Sequence, residues 1–318
     1  MAAPTNTLVT GAMVGIREDL QEAMEEIDPS ETPFYSNAPK GPIKNRLYDW
    51  LVDEFLTVDT TPRPEGNDAP GQAVGQPVRK DNVAQIVQRD GRVSGTSDVV
   101  DTAGRGTEKQ YHKLRKAIEC RRDWETILLR DQAKDNSDPR IVGSLSSWIT
   151  AASVGLTGTI PTGDGSDIPG AGTDRDLTLD LIDGVNETAY NSGGNPTFML
   201  MAPRQKRKFS ALARNASNSI NTVNTNEGRA AMASIIGAVD MYVTDFGNLG
   251  VVVDRFCPNE RIYGLDRGNY KVTAMKNRAF ISEDLAKTGD SEHFQVVHEG
   301  GLKTGAPKAH FAVYDLNT

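Results

Sequence analysis

The sequence contains almost no cysteine and no long hydrophobic run. Cys120 and Cys257 are its two cysteines, too few and too far apart for a disulfide framework or a zinc knuckle. No stretch approaches the roughly 18 consecutive apolar residues of a membrane span, and the N-terminus lacks the basic and apolar regions of a secretory signal. We therefore expect a soluble, non-exported protein without a membrane partner, in a reducing compartment, with Cys120 as a buried, inert thiol.

Positive charge is also in deficit. The chain has 35 lysines and arginines against 43 aspartates and glutamates, which gives a net charge of −8 and a pI near 5.2. Because an acidic surface repels phosphate, this balance argues against a protein that binds nucleic acid through its overall field. Hydrophobic residues make up 37% of the chain, which is enough for a sizeable core and excludes disorder of the whole chain.

The sequence carries no recognisable catalytic motif. Its four histidines lack the spacing of a zinc site, and neither a nucleophile elbow nor a phosphate-binding loop is present. An acidic loop over residues 164–176 has oxygen ligands suited to a hard cation, but it lacks the calcium-loop spacing, and a solvated loop is the stronger interpretation. Its carboxylates belong to Asp164, Asp167, Asp174 and Asp176. We expect no catalytic, metal or cofactor-binding residues, with Asp174 or Asp176 capping the next helix.

One basic cluster lies on a helix predicted from Pro203 to Arg214. Its members are Arg204, Lys206, Arg207 and Lys208. A nucleic-acid patch would have interleaved aromatic residues and a basic domain around it, whereas this chain is acidic. We interpret the cluster as a solvated helix face or as a site of salt bridges between subunits.

The first 95 residues do not have the pattern of a compact domain. Apolar residues at helical spacing predict an amphipathic helix in an N-terminal arm: Met13, Ile16, Leu20, Met24 and Ile27. Residues 40–95 predict a long hairpin, with an outgoing strand over 46–55 and a return strand over 82–93. Residues 59–80 between them are rich in proline and glycine. Compact domains seldom carry structureless loops beyond ~12–15 residues unless the loop is functional or disordered.

Residues 107–135 predict the longest helix of the chain. Thr107 and Gln110 are spaced as a capping box, and Asp138 with Pro139 predicts a stop. At ~1.5 Å per residue the helix would be about 43 Å long, which is typical of a structural strut. Its predicted core face consists of Tyr111, Leu114, Ala117, Ile118, Trp124 and Leu128.

The remainder predicts a compact body of the α+β class. A second amphipathic helix covers residues 177–189 and ends at Gly193 and Gly194, and a short buried strand follows at Phe198–Met201. Further strands are predicted at residues 239–243, 250–253, 270–275, 278–281, 294–298 and 309–313. An arm and a hairpin that cannot bury themselves lose conformational entropy for little internal gain, so neighbouring subunits of an obligate assembly must supply the missing contacts.

The order of these parts resembles the Hong Kong 97-like fold of tailed-phage major capsid proteins. More closely, the chain is similar to the "SU ten-like" family of phage major head proteins, and the match covers nearly the whole chain. The motifs that carry the resemblance are Glu31–Phe34, Arg92–Thr96, Glu119–Glu125, Gly193–Pro196, Leu285–Asp290 and Glu299–Leu302.

The resemblance implies a division of the chain into named parts. These are an N-terminal arm (1–39), an extended E-loop hairpin (40–95), a P-domain segment (96–140) with the spine helix 107–135, an A-domain (141–259), and the rest of the P-domain (260–318). Whether the last strand returns to the A-domain stays open. The E-loop would reach across a neighbouring subunit, and its tip would serve assembly through Pro62, Arg63, Pro64 and Glu65.

The implied function is that of a structural subunit and not an enzyme. It would self-assemble, as pentamers and hexamers of itself, into the icosahedral head around the double-stranded DNA of a tailed phage. The acidic balance suits a lining that does not adhere to the DNA. Further implied partners are a portal, a decoration protein and a scaffold, which we expect as a separate protein because the chain starts directly at the arm.

The implied location is the virion, after assembly in the cytoplasm of the host bacterium. Two alternatives remain open at this point. One is the shell protein of a bacterial nanocompartment of the same fold. The other, from a different class, is a soluble metal-dependent hydrolase that uses the acidic loop 164–176.

Overall fold

The described residues form two large β-sheets, a long helix on the first sheet and a separate two-stranded hairpin. A computed structural model describes residues 30–68, 74–100, 107–217, 240–287 and 289–318. The helices are α1 (Pro33–Asn37), α2 (Gly95–Val99), α3 (Glu108–Leu129), α4 (Leu179–Asn191) and α5 (Pro203–Ser217). The strands are β1 (Lys40–Ile43), β2 (Leu47–Val52), β3 (Val78–Val83), β4 (Gln85–Ser94), β5 (Ala151–Ser153), β6 (Phe198–Met201), β7 (Met241–Thr244), β8 (Gly247–Val253), β9 (Ile262–Leu265), β10 (Tyr270–Met275), β11 (Ile281–Leu285), β12 (Ser291–Thr304) and β13 (Phe311–Val313). The predicted arm helix lies outside the described residues.

The first sheet is organised around β12. The strand β4 pairs antiparallel with it from Ser94 opposite Ser291 to Gln85 opposite Gly300. On the other edge β10 and β11 pair antiparallel with different parts of β12, and β1 adds in parallel to β10. The helix α3 packs across β4 and β12, so this sheet and α3 form one layered unit.

The second sheet has the strand order β5-β13-β9-β6-β8-β7. Its strand β13, near the C-terminus, inserts between β5 and β9, so the last strand returns to the sheet that holds most of residues 141–259. The strand β9 also belongs here, although the sequence assigns residues 260–318 mainly to the other domain. The helix α4 covers β5 and β13.

Two hydrophobic cores meet at β6. All four residues of this strand are buried, as predicted. Because side chains alternate across a strand, Phe198 and Leu200 join the core that contains Trp124 and extends to the first sheet. Met199 and Met201 join the core beneath α4 and α5. The strand therefore connects the two halves of the body.

The long helix α3 is shorter than the sequence predicts. It ends at Leu129, and Arg130 is already extended, so its 22 residues span about 33 Å at ~1.5 Å each. Beyond it, the Gln132 amide donates to the Ser144 hydroxyl, and the Ser144 amide donates back to the Gln132 carbonyl. These bonds to a distant segment replace further helical bonds, which is why the stop at Asp138 is not reached.

The predicted capping box of α3 is also wrong. Thr107 is the N-cap residue, but its side chain accepts no capping hydrogen bond. Instead, the Asp98 carboxylate accepts the Lys109 amide at 3.0 Å. A carboxylate from α2 therefore satisfies an unpaired amide of the first turn and complements the helix dipole.

The second predicted helix is confirmed as α4, with a different N-cap. The Thr178 hydroxyl accepts the Leu181 amide, whereas Asp176 accepts the side-chain amide of Asn317, and neither Asp174 nor Asp176 caps the helix. At the other end Gly193 takes a φ of +85°, a left-handed conformation that glycine adopts without steric cost. The predicted glycine stop is therefore correct.

No helix among the residues that the structure describes is long and apolar enough to cross a membrane.

Candidate assembly interface

The hairpin of β2 and β3 is narrower than the one predicted over residues 40–95. Leu47–Val52 pairs antiparallel with Val78–Val83, so the return strand begins before residue 82. The predicted return segment is instead mostly β4, which pairs with β12. Its apolar residues Val87 and Val93 are buried, and Val87 packs in the core that contains Cys120 and Trp124 of α3.

A layer of aromatic rings fixes the base of the hairpin to the body. Trp50 of β2 is buried, and its ring centroid lies 5.3 Å from that of Trp148. Tyr48, on the same face, donates its hydroxyl to the Leu302 carbonyl at 2.9 Å. Leu51 points the other way and is 69% exposed. One face of the hairpin is therefore anchored, and the other remains available to a partner.

Asn82 completes this anchor, and sequence reasoning missed it. Its fully buried side-chain amide donates to the carbonyls of Leu302, at 2.7 Å, and Gly143, at 3.2 Å. Its carbonyl oxygen accepts the amides of Gly143 and Val83. One side chain thus joins β3, β12 and the loop before β5. An asparagine within a predicted strand was the available signal, because a polar residue in such a position needs several partners.

Beyond Val52 and before Val78 the described chain forms no strand. The four tip residues Pro62, Arg63, Pro64 and Glu65 are all exposed, as are all their described neighbours from Asp53 to Gln76. Arg63 pairs with Asp59 at 2.8 Å within the loop. The tip therefore makes no contribution to either core, which agrees with the expectation that it cannot bury itself.

The loop between β2 and β3 also exposes four large apolar side chains outside the tip residues 62–65. These are Phe55, Leu56, Val58 and Val74. All four lie within the one loop that joins β2 to β3, whereas single exposed apolar residues scattered over a surface are ordinary. Concentration of apolar surface in one loop marks an interaction site.

The core face assigned to α3 is only partly right. Trp124 and Leu128 are fully buried, but Leu114 is 70% and Ile118 is 38% exposed, and Tyr111 is half-buried. The helix is oriented so that Cys120 and Trp124 face the sheet. Residues 114 and 118 therefore lie on the side of the helix and do not face the sheet. Cys120 is buried as predicted, and burial raises the pKa of its thiol to about 11.

Glu125 on α3 holds the described start of the chain. Its carboxylate accepts the backbone amides of Phe34, at 2.6 Å, and Tyr35, at 2.8 Å, so it satisfies the first turn of α1. Phe34 is itself fully buried and stacks on Tyr270 of β10. Two of the motifs noted in the sequence, Glu31–Phe34 and Glu119–Glu125, are thus in direct contact.

A second carboxyl group lies beside Glu125. Asp254 follows β8, and both acids are fully buried. Burial and the neighbouring Asp254 raise the pKa of Glu125, and burial raises the pKa of Asp254. Because two adjacent buried carboxylates repel one another, the pair retains a proton at neutral pH.

This pair predicts a pH dependence of stability. A carboxyl group whose pKa is raised by folding binds more protons in the folded state than in the unfolded state. Its contribution to the free energy of unfolding is therefore complete at acid pH and is lost as the pH rises from the ordinary carboxyl range through neutrality. Glu125→Gln retains a neutral donor and acceptor. In chemical denaturation between pH 5 and 9, we expect the free energy of unfolding of the variant to fall less with pH than that of the unchanged chain.

The difference between the two proteins isolates the pair from other titrating groups. His298 and His310 are buried and their pKa values are lowered to about 4 by burial, so both proteins lose stability together in acid. An equal slope above pH 6 in both proteins would show that Glu125 does not titrate in this range.

The basic cluster is divided between two environments. Arg204 and Arg207 are exposed on α5. Lys206 forms an ion pair with Asp240 at 3.8 Å, and the Lys208 ammonium donates to the Asn317 carbonyl at 2.5 Å. Two members therefore fasten α5 to the body, and two face outward.

The carboxylates of the acidic loop accept hydrogen bonds from residues of the same loop. Asp164 accepts hydrogen bonds from the amide and hydroxyl of Ser166, and Asp167 accepts the Thr162 amide. No group of three or more metal-ligating side chains forms within the part of the chain that the structure describes. The carboxylates thus act as turn-stabilising acceptors.

Comparison with known proteins links this geometry to a family. The family model described as "SU10 major capsid protein" matches residues 3–317. A protein named "Major capsid protein" from Escherichia phage Phieco32 is 26% identical in an alignment of length 321 that covers 89% of this chain and 89% of that one.

Solved structures resemble the fold at low sequence identity. The cyanophage A-1(L) capsid asymmetric unit matches with a TM-score of 0.64 and 13% identity, over 98% of this chain and 99% of that one. The SrpI encapsulin complex of Synechococcus elongatus PCC 7942 matches with a TM-score of 0.57 and 12% identity, over 93% and 92%. At this identity the likeness shows the fold alone, and the fold is common to both kinds of shell.

Proposed function

The chain belongs to the SU10 major capsid protein family, and from this premise we propose that its β2–β3 hairpin makes the contacts that join subunits into a closed shell. It is the major capsid protein of a tailed phage, with the Hong Kong 97-like fold, and a component of the virion. The observation that carries the proposal is the exposed apolar surface of the loop between β2 and β3, whose base is anchored to the body.

The apolar side chains of the loop between β2 and β3 support this role. Burying a side chain the size of Phe55, Leu56, Val58 or Val74 yields ~1.5–3 kcal/mol, so the four together offer roughly 6–12 kcal/mol per subunit before the costs of association. Neither core of the subunit uses this surface. The anchored base at Trp50 and Asn82 lowers the entropy that docking the tip on a neighbour would cost.

We propose a domain division that follows the observed pairing. Residues 1–39 are the arm, and the E-loop is the β2–β3 hairpin over 47–83. The first sheet with α3 is the P-domain, which β1 and β4 join. The second sheet with α4 and α5 is the A-domain, which therefore includes β9 and β13. Arg204 and Arg207, exposed on α5, are candidates for salt bridges between subunits around the capsomer axes.

The remaining partners follow from the role. We propose that pentamers and hexamers of this chain form an icosahedral head in the host cytoplasm, with a portal, a scaffold and a decoration protein. Double-stranded DNA is enclosed without specific binding, because a net charge of −8 gives the lining little affinity for phosphate. The protein is a structural subunit and not an enzyme.

The alternative roles receive less support. A nanocompartment shell shares the fold, but the family match is to capsid proteins. A hydrolase that uses the acidic loop would need carboxylates free to hold a metal ion, whereas Asp164 and Asp167 are committed to backbone and hydroxyl donors of their own loop.

The proposal is tested by the particle mass of the full-length chain. Analytical ultracentrifugation with negative-stain microscopy on the same sample should give closed shells or five- and six-membered rings. If the chain alone stays a 34.5 kDa monomer, co-expression with the neighbouring genes of its source should restore shells. A monomer under both conditions would contradict the proposal.

A further inference from the structure

Three exposed arginines lie together at one end of the second sheet. The strand β8 is followed by Asp254, whose amide donates to the Met201 carbonyl at 3.0 Å, so the end of β8 lies beside the start of α5. Arg204 and Arg207 are exposed at the beginning of α5, and Arg255 is exposed just beyond β8. Within the described residues, none of these three guanidinium groups forms an ion pair.

Exposed carboxylates lie at the opposite end of the same sheet. On α4 the side-chain amide of Asn186 donates to the Thr244 hydroxyl at 3.1 Å, so this helix lies against the turn between β7 and β8. Asp245 is exposed in that turn, and Glu187 is exposed on α4. The seven residues of β8 separate the turn from the arginines by about 20 Å, at ~3.3 Å per residue.

The carboxylates repel one another within the subunit. Asp183 lies one helical turn before Glu187, and the Tyr242 hydroxyl donates to both of its carboxylate oxygens at 3.0 Å. Burial raises the pKa of Asp183 against the effect of this hydrogen bond, and the negative charges of Asp180 and Asp245 raise it further. No described residue forms an ion pair with these carboxylates, so the repulsion has no compensation inside the described part of the subunit.

Two patches of opposite charge at opposite ends of one sheet suit a contact between different surfaces of two identical subunits. Such a heterologous contact produces a ring when its rotation closes. Arginine is the cation best suited to bind carboxylates across an interface, because its planar group donates two parallel hydrogen bonds. The same charges oppose the pairing of two like patches. A polyanion such as DNA would match the arginines alone and would leave the carboxylates without a partner.

We propose that the basic patch of each subunit binds the acidic patch of the next copy around the ring. The basic patch consists of Arg204, Arg207 and Arg255, and the acidic patch consists of Asp180, Asp183, Glu187 and Asp245. The inference rests on the proposed function, because it names the contact that joins the second sheets of neighbouring subunits in pentamers and hexamers. It is separate from the contact of the loop between β2 and β3.

Charge reversal in the full-length chain tests this pairing. The basic-end variant carries Arg204→Glu, Arg207→Glu and Arg255→Glu, and the acidic-end variant carries Asp180→Arg, Glu187→Arg and Asp245→Arg. Each variant should lower the yield of rings or shells at least about tenfold, because like charges then meet across the contact. The combined variant, with all six changes, restores opposite charges and should recover most of the yield. Since all six side chains are exposed, the melting temperatures should change little.

A matched control separates pairing from net charge. The control adds three reversals on the first sheet and its loop to the basic-end variant: Asp90→Arg, Glu283→Arg and Asp290→Arg, all at exposed positions. Its net charge returns to −8, as in the unchanged chain and in the combined variant, but the two patches still repel. The control should therefore remain without rings or shells, and a recovery equal to that of the combined variant would overturn the proposal.

A mixture provides the same test if the combined variant does not fold. The basic-end and acidic-end variants, expressed together, should form hexamers in which the two alternate, although neither forms rings alone. Loss of assembly that neither the combined variant nor the mixture restores would give the arginines another anionic partner and overturn the proposal. Shells that tolerate both reversals would contradict this inference alone. A chain that stays monomeric in both conditions of the particle-mass test would contradict it together with the proposed function.

Discussion

Deleting residues 60–76 should leave a folded subunit that no longer closes into shells. The deleted segment contains the tip residues Pro62 to Glu65, and every one of its described residues is exposed. Its removal therefore takes almost nothing from either core. What it removes is the outer part of the loop, with the tip residues and Val74, whose contact with a neighbouring subunit we expect a closed shell to require; Phe55, Leu56 and Val58 remain.

The design keeps the base of the hairpin intact. Val52 pairs with Val78 at the outer end of β2 and β3, and residues 53–59 with Pro77 remain to connect the strands. Trp50 and Asn82 keep their contacts with the body. We expect the circular dichroism and the melting temperature of the subunit to change little, while negative-stain microscopy shows no closed particles. Normal shells from the deleted chain would show that the tip is not an assembly contact.

Single substitutions separate the apolar surface from the length of the loop. Phe55→Asp places a charge where the most exposed aromatic ring lies and should reduce the yield of shells strongly, because a carboxylate is costly to bury in an interface without a partner. Leu156→Asp makes a similar change on the exposed surface of the body. If both variants lose shells equally, the effect is general to added charge and not specific to the hairpin.

Elements with one local pattern could be predicted from the sequence. The helix α4 has an apolar stripe and a glycine stop, and β6 is a continuous apolar run, so periodicity alone identified both. The strand β10 matched its predicted bounds, because its alternation is clear over six residues. In each case the local preference and the tertiary environment agree.

Elements whose position depends on contacts with distant segments could not be predicted from the sequence. The sequence pattern predicts a return strand that begins too late, because Val83 pairs with Leu47 whereas Val87, four residues on, pairs with His298. No local signal marks the point where the chain changes sheets. Leu114 and Ile118 were assigned to the core because periodicity gives a face but not the direction of the sheet beneath it.

The sequence also does not indicate the buried polar side chains that connect distant segments of the chain. Glu125 and Asn82 are both fully buried, and composition alone treats such residues as surface. Their partners are 91 and 220 residues away along the chain, at Phe34 and Leu302. Glu125 belongs to the family motif Glu119–Glu125, but nothing in the sequence indicates that its carboxylate accepts the amides of Phe34 and Tyr35.

Replacing Trp124 with alanine should cost the subunit ~3–5 kcal/mol, the usual loss when a large buried aromatic is truncated and leaves a cavity. The ring is fully buried and meets His298 edge-on at 4.6 Å, and His298 in turn stacks on Phe280 at 4.1 Å. The indole nitrogen has no hydrogen-bond partner, so the loss is one of packing. Trp124 belongs to the core that includes both sheets, and its removal weakens their junction.

This loss is best measured in the chain without residues 60–76, because unfolding then reports the subunit and not the dissociation of shells. At ~2.1 cal/mol/K per residue for the entropy of unfolding, the melting temperature should fall by about 5–8 °C. Trp124→Phe refills much of the cavity and should recover part of the loss, while Leu156→Ala, at an exposed position, should stay within about 0.5 kcal/mol. An unchanged melting temperature for Trp124→Ala would mean that the ring faces solvent or a partner. Residues other than Trp124 would then have to stabilise the core between the two sheets.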